Sequence, residues 1–204
     1  MHPAVFAAFD RICRARDCGG DVLEIGAVPS EQTLLCLPSL SGCARRVGVN
    51  IEGPASIRGC EILRANAHDL RGLEGFGDES FDTVLCNAVL EHDPQFWRTL
   101  TEMRRLLRPG GVMGVGVPGF TTLRIERRVS RIARIMSRLG VPAHALDPWR
   151  ASTMTLVVHN YPGDYYRFSP QAMHEVLLEG LVDTEVHTVL VPPRIIGFGV
   201  KPAR

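Results

Sequence analysis

The chain has 204 residues, of which 45% are hydrophobic and 22% are charged, and its formal net charge is +1 at pH 7. This length and composition indicate a single domain over residues 1–204, and the balanced charge gives no reason to expect nucleic-acid binding or stable membrane insertion. No charged and apolar leader opens the chain, and no run approaches the roughly 20 apolar residues of a membrane span, so we expect a cytoplasmic protein.

The cysteines are spread along the chain without a CxxC pair. This distribution predicts reduced thiols that pack as small hydrophobic side chains, and it predicts no metal site. They are Cys13, Cys18, Cys36, Cys43, Cys60 and Cys86.

Hydrophobic periodicity divides the chain into alternating helices and strands. The pattern predicts a helix over 3–16, strands over 21–26, 46–52, 60–65 and 81–86, a short helix with Glu91 and His92, a helix over 95–108, and a fifth strand over 112–117. A helical and loop insertion over 121–168 follows, then a helix from Ser169 to Gly180 and strands over 182–191 and 195–200. The predicted fold class is α/β: a Rossmann-like, doubly wound, mostly parallel seven-stranded sheet with an antiparallel edge strand.

The other elements are arranged around the stretch DVLEIGAVPSE at residues 21–31. A buried parallel strand ends there at Gly26, and ligands of open α/β sheets bind at the carboxyl ends of such strands. A helix is predicted over 30–38, whose first-turn N–H groups at Gln32 and Thr33 would face an anionic group of a ligand.

The insertion carries a predicted basic amphipathic helix over 122–139. It is interpreted as a lid or packing element that covers the substrate, and a homodimer contact, a membrane-surface helix and a dock for an acidic carrier protein stay open as alternatives. Its apolar stripe comprises Ile125, Val129, Ile132, Met136 and Leu139.

Four blocks in the right order carry a family resemblance: LEIG, VGVNIE, FDTVLCNAVLEH and MRRLLRPGGVMGVGVP, followed by DYYRFSPQAM. Together they resemble the class I methyltransferases that use S-adenosylmethionine, in the small-molecule, UbiE-like (type 11) branch. The resemblance covers most of residues 20–200. It implies S-adenosylmethionine as cofactor, S-adenosylhomocysteine as product, and a small molecule as substrate.

The cofactor contacts that the resemblance implies lie at the carboxyl ends of the first four strands: Glu24, Gly26, Ala27, Asn50, Ile51, Glu52, Asn66, Ala67 and Asn87. Glu24 would orient the ammonium group, and Asn50 would accept hydrogen bonds from the ribose. Asn66 with the backbone of Ala67 would pair with the adenine edge, and Asn87 would face the reacting methyl group. As alternatives, Glu24 caps the adjacent helix or pairs with an arginine, and Asn50 and Asn66 are ordinary turn residues.

The substrate side offers two candidate general bases, His92 and His159. A histidine suits this role because its unperturbed pKa is about 6.5. Tyr161, Tyr165, Tyr166 and Arg167 are the candidate substrate-binding residues. Packing or capping roles remain alternatives for both histidines.

The leading hypothesis is methyl transfer to oxygen or nitrogen, rather than carbon, of a small molecule. Val28 stands where the family commonly has a second glycine, and Pro29 removes one N–H. These two residues motivate a second hypothesis, a methyltransferase-like binding or partner subunit without catalysis. A nicotinamide-dependent dehydrogenase is disfavoured because the GxGxxG fingerprint does not follow the first strand.

Overall fold

The computed structural model describes residues 1–122, 135–142, 153–155, 163–189 and 193–203. Within these residues, eight strands form one sheet and two form a separate antiparallel ribbon. The sheet strands are β1 (Asp21–Ile25), β2 (Arg45–Asn50), β3 (Ala55–Ile57), β4 (Cys60–Arg64), β5 (Phe81–Asn87), β6 (Leu107–Pro118), β9 (Val182–Val189) and β10 (Arg194–Val200). The ribbon joins β7 (Phe120–Thr122) to β8 (Thr153–Thr155).

The strand order is β3-β4-β2-β1-β5-β6-β10-β9. From β4 to β6 the neighbours run parallel, whereas β3 pairs antiparallel with β4, and β10 pairs antiparallel with β6 and β9. The predicted Rossmann-like fold with an antiparallel edge is therefore confirmed, with eight described strands in the sheet instead of the predicted seven. The order reverses between β1 and β5, which is where open sheets of this kind form a ligand crevice.

Helices cover both faces of the sheet, because strands buried on both faces need an apolar layer on each. One face is covered by α1 (Pro3–Ala15), and the other by α2 (Phe96–Leu106) and α3 (Pro170–Ala172), which continues as a π-helical turn over Met173–Leu177. The two sides of β5 show the division: Leu85 shares a core with Phe9 of α1, and Val84 shares the other core with Met103 of α2.

The predicted helix over 30–38 is wrong. The segment instead forms two short 3₁₀ turns, Leu34–Cys36 and Pro38–Leu40. Pro38 disfavours helical backbone at the residue before it, and Leu37 is extended with φ −58° and ψ 132°. The two N–H groups predicted to face a ligand bond within the segment instead, that of Gln32 to Oγ of Ser30 at 3.3 Å and that of Thr33 to the Ser30 carbonyl at 2.9 Å. The Thr33 hydroxyl and the Leu35 N–H, the latter at 3.0 Å, donate to the buried carboxylate of Glu24.

Several other boundaries differ from the prediction. The largest difference is at the fifth strand, which already begins at Leu107, and the helix before it, predicted to residue 108, ends at Leu106. The short strand β3 was not predicted, because its three residues are too few to show a period.

The insertion is described only in part. Residues 123–134 and 143–152 lie outside the described residues, and 135–138 are helical. The predicted basic helix over 122–139 is thus described only at its end, where Leu139 is 74% exposed. Its roles as a lid and as a dimer contact remain predictions.

Candidate functional site

The turn after β1 is held tightly from two sides. Gly26 has φ +79°, a left-handed conformation that favours glycine, and its N–H donates to Val49 at 2.8 Å. A Cβ added to Gly26 would lie 2.1 Å from Cγ2 of Val89, which follows β5. Ala27 donates to the same Val49 carbonyl at 3.2 Å. The absence of a side chain at residue 26 therefore lets the exits of β1 and β5 approach each other.

Asn50 ties this turn to the end of β2. Its Nδ2 donates to the Ala27 carbonyl at 2.8 Å, and its Oδ1 accepts from the N–H of Glu52 at 2.9 Å. Both ends of the amide therefore bond to protein backbone, as expected if Asn50 is an ordinary turn residue. Ile51 and Glu52 follow in an exposed turn at the same edge of the sheet.

Asn66 shapes the loop after β4. Its Oδ1 accepts from the N–H of His68 at 3.0 Å, which leaves the amide nitrogen as the polar group for a ligand beside Ala67. His68 then reaches Asp93 with its Nε2, at 2.9 Å from both carboxylate oxygens. The loop next to the expected adenine position is therefore anchored to the segment that follows β5.

Asp93 is a hub that the sequence did not reveal. Besides His68, it accepts from the N–H of Gln95 at 2.8 Å and from the hydroxyl of Thr99 at 2.7 Å. The one local signal is its position two residues before Gln95, which suits an Asx turn. Its contact with His68 spans 25 residues and has no sequence signature.

Glu24 is buried below the β1 turn and holds the 3₁₀ segment described above. Burial raises the pKa of its carboxyl group, and the donors from Thr33 and Leu35 act in the opposite direction. These contacts match the capping alternative for this residue. Its predicted role with the ammonium group remains a prediction.

Asn87 ends β5 beside β6, and its Oδ1 is buried without a hydrogen-bond partner among the described residues. The register pairs it with Gly116, where an added Cβ would lie 2.4 Å from this oxygen. Ala88 follows with φ +58° and donates to the Gly116 carbonyl at 2.9 Å. The chain thus turns sharply after Asn87 at the carboxyl edge of the sheet.

His92 lies in the 3₁₀ turn Leu90–His92 and bonds through Nδ1 to the carbonyl of Gly163. Because a carbonyl only accepts, Nδ1 carries the proton and Nε2 is the acceptor nitrogen of the ring. This tautomer suits a general base at Nε2. The contact with Gly163 also fits the alternative of a packing histidine, so the catalytic role stays a prediction.

The return segment, residues 163–168, lies against this turn. Tyr165 donates its N–H to the Glu91 carbonyl at 2.8 Å, and the Tyr166 hydroxyl donates to Pro94 at 3.0 Å. Arg167 donates to Asp164 at 2.6 Å, which raises the pKa of the guanidinium. The structure therefore brings Tyr165, Tyr166 and Arg167 beside His92, whereas His159 and Tyr161 lie outside the described residues.

A buried ion pair at the same edge was missed by the sequence reasoning. Arg194, the first residue of β10, donates through Nη1 to Oε1 of Glu91 at 2.9 Å. The partners are 103 residues apart, so no local pattern could have paired them.

Two open clefts, of about 400 and 380 Å³, lie at the opposite, amino edge of the sheet, and both are lined by Gly19, Gly20 and Asp82. They are far along the strands from the residues above, so we do not assign the site to them. Within the described ranges, no group of three or more potential ligand side chains could hold a metal ion. In the same ranges no helix combines the length and apolarity that crossing a bilayer requires.

Comparisons with known proteins agree with this architecture. Residues 23–115 match the family model of a methyltransferase domain. An uncharacterized methyltransferase of Mycobacterium sp. (strain JLS) is 42% identical over 60 residues, which are 29% of this chain and 22% of that protein. The chain spans about a fifth or less of the curated relatives that it matches.

Two solved structures superpose over nearly the whole chain. The first is the Burkholderia thailandensis 1,6-didemethyltoxoflavin-N1-methyltransferase with bound 1,6-didemethyltoxoflavin and S-adenosylhomocysteine, with a TM-score of 0.60, 17% identity, and coverage of 98% of this chain and 79% of that one. The chain has a methyltransferase fold. The second is the CurJ carbon methyltransferase, with a TM-score of 0.58, 17% identity, and coverage of 91% and 49%.

Within this methyltransferase fold, the matched residues begin inside β1 and end inside β6, and they contain all nine predicted cofactor contacts. The return segment and Arg194 fall after the matched residues. Of the described residues predicted on the substrate side, His92 lies within the match, and Tyr165, Tyr166 and Arg167 lie after it.

Proposed function

We propose that this chain is an S-adenosylmethionine-dependent methyltransferase of the UbiE-like branch, and that it acts on oxygen or nitrogen of a small molecule. The observation that carries the proposal is the meeting of four strand exits, at Gly26, Asn50, Asn66 and Asn87, along one edge of the sheet. These residues occupy the crevice position of an open α/β sheet.

The residues present fit the cofactor. Gly26 has no side chain and takes a left-handed backbone conformation at the exit of β1, which brings backbone to the edge where the cofactor is proposed to bind. Asn66 offers a donor from its amide nitrogen at the expected adenine edge, and Glu52 offers a carboxylate near the expected ribose. When bound, the cofactor supplies an electrophilic methyl group on a sulfonium.

The protein's own task is to position the substrate and to receive its proton. His92 is the proposed base, since its Nδ1 proton is held by Gly163 and its Nε2 is the acceptor nitrogen. Tyr165, Tyr166 and Arg167 lie next to it and are proposed to line the substrate pocket. His159 and Tyr161 are proposed to contribute to the same pocket from the insertion, which is proposed to cover the substrate.

A non-catalytic binding subunit is the second candidate, and a specific observation favours it. Val28 is 44% exposed at the cofactor turn, where a side chain competes with the ligand for space. Asn50, moreover, uses both ends of its amide on protein backbone. Both features lower the expected affinity for the cofactor.

Calorimetric titration with S-adenosylmethionine and S-adenosylhomocysteine tests the proposal. We expect binding of both, and we expect Asn66→Asp to bind more weakly, since the carboxylate keeps the His68 N–H but lacks the amide donor proposed for the adenine edge. Glu61→Gln, on an exposed position of β4, is the matched control and should bind like the wild type. Binding of neither nucleoside at about 1 mM would reject the enzymatic function.

A further inference from the structure

Two buried hydrogen-bond acceptors at the exit of β5 have no partner in the part of the chain that the structure describes. Within the described residues, the buried side-chain atoms without a partner are Arg16 Nε, Ser39 Oγ, Ser80 Oγ, Asn87 Oδ1 and Glu91 Oε2. The last two are the side-chain amide oxygen of Asn87 and a carboxylate oxygen of Glu91, which lie close together in the sequence. Both are acceptors, so each needs a hydrogen-bond donor. Leaving such a group buried and unpaired carries a free-energy penalty that native folds rarely keep without a reason.

Glu91 and its partner lie at the carboxyl edge of the sheet. The Glu91 side chain is fully buried, and the Arg194 side chain is 12% exposed. Asn87 pairs with Gly116 of β6, and Pro118, two residues further along that strand, pairs with Arg194. The ion pair therefore sits just beyond Asn87, on the β5, β6 and β10 side of the edge, away from the β2 and β4 exits proposed for the nucleoside.

The pair is incomplete on both sides. One hydrogen bond, from Nη1 to Oε1, joins Arg194 to Glu91, and the described residues supply no other partner to this guanidinium. Arginine offers five N–H donors in a planar fork, so most of its capacity remains for an acid group. On the other side, Oε2 of Glu91 remains for an O–H or N–H donor.

A second buried carboxylate in this chain shows what a purely structural pair looks like. Glu102 accepts from Arg105 at 2.8 Å on Oε1 and at 2.7 Å on Oε2, and Oε2 also accepts from the N–H of Leu70 at 2.9 Å. Its side chain is 4% exposed and that of Arg105 is 9% exposed, so the burial is similar to that of the Glu91 pair. Both carboxylate oxygens of Glu102 therefore accept hydrogen bonds, whereas only one of the two carboxylate oxygens of Glu91 does so among the described residues.

We propose that Glu91 and Arg194 form the binding site for the methyl-accepting substrate, and that this substrate is a small acid carrying an O–H or N–H group. Oε2 of Glu91 accepts the hydrogen bond from that group, and the Arg194 fork binds the acid. An aromatic acid suits this site, since Tyr165, which donates its N–H to the Glu91 carbonyl, exposes 58% of its own surface there. The inference rests on the proposed function, because it names the substrate class of the same site.

The test uses 3-hydroxybenzoate as probe, which has both a hydroxyl and a carboxylate. Its binding to the full chain is measured by calorimetry with and without S-adenosylhomocysteine, beside 3-methoxybenzoate, which lacks the donor, and methyl 3-hydroxybenzoate, which lacks the acid. We expect 3-hydroxybenzoate to bind at least about tenfold more tightly than either comparator. This comparison on the wild-type protein needs no variant to fold.

Two matched variants then separate ligand binding from folding. Glu91→Gln should weaken 3-hydroxybenzoate binding about tenfold or more, while Glu102→Gln should leave it unchanged. Glu102→Gln should lower the melting temperature more than Glu91→Gln, since it loses charged bonds on both oxygens.

Equal binding of the three probes, no binding of 3-hydroxybenzoate at about 10 mM, or wild-type affinity in Glu91→Gln would overturn the inference. Failure of the proposed function looks different. In that case S-adenosylhomocysteine does not bind, and the titrations without nucleoside still report on Glu91 and Arg194.

Discussion

Replacing Gly26 by alanine perturbs the contact between the exits of β1 and β5. The left-handed φ of +79° costs a residue with a Cβ about 1–2 kcal/mol. The new Cβ would also lie 2.1 Å from Cγ2 of Val89, against a favourable carbon–carbon separation of about 3.5–4.0 Å. Relieving such an overlap typically costs about 1–3 kcal/mol. We therefore expect Gly26→Ala to lower the free energy of unfolding by about 2–5 kcal/mol.

A double-mutant cycle with Val89→Ala separates the two costs. Removing Cγ2 abolishes the overlap but not the backbone strain, so the double variant should recover about 1–3 kcal/mol relative to the sum of the single variants. Urea unfolding followed by circular dichroism gives the four free energies, and calorimetry with S-adenosylhomocysteine shows whether the same change closes the cofactor turn.

Either of two results would contradict the expected effect of Gly26→Ala. One is a loss below about 1 kcal/mol in Gly26→Ala, since the backbone strain alone should exceed it. The other is a coupling energy with Val89 that stays within about 0.5 kcal/mol of zero, because distant and independent sites behave in that way.

Three further changes test the polar contacts of the site. Because burial raises the pKa of Glu24, the folded chain holds the carboxyl proton more tightly than the unfolded chain, so stability should fall as the pH rises from the ordinary pKa of 4.5 through the folded pKa. Glu24→Gln should lose that decline when urea unfolding is repeated across pH. Parallel curves of stability against pH for the variant and the wild type would contradict this. Asn50→Ala removes the bond to Ala27 and should cost about 1–2 kcal/mol of stability, measured by urea unfolding, with Asn50→Asp recovering none of the donor's share. Asp93→Ala frees His68, so hydrogen exchange of the loop after β4 should quicken by about tenfold, and an unchanged rate would show that the hub does not order the loop.

Sequence patterns predicted the sheet well, because buried parallel strands read as short apolar runs and their exits carry glycine or asparagine. The strands ending at Ile25, Asn50 and Asn87 were each placed within two residues of their observed ends. The helix over 30–38 failed because Pro38 disfavours helical backbone at Leu37 and because the Glu24 carboxylate takes the N–H of Leu35, which a helix would direct to a backbone carbonyl.

The substrate side was less accessible to prediction. Periodicity reports which face of an element is buried, but it does not report which charges meet across the fold. Arg194 and Glu91 lie far apart in the chain, and neither stands in a local motif for an ion pair. The motif FDTVLCNAVLEH pointed to His92 as a functional residue, whereas it is the neighbouring Glu91 whose hydrogen bonding is incomplete.

The chain leaves the sheet and comes back at one spot. Gly119 forms a parallel bridge with Phe168, and the return segment is fastened to the β5 exit through Tyr165 and Tyr166. Because the two ends of this stretch are held together, its length can change at little cost: doubling the length costs only about 0.6 kcal/mol of loop-closure entropy. The scaffold can therefore accept a stretch of another length between these two points while the pairing of the sheet strands stays as it is.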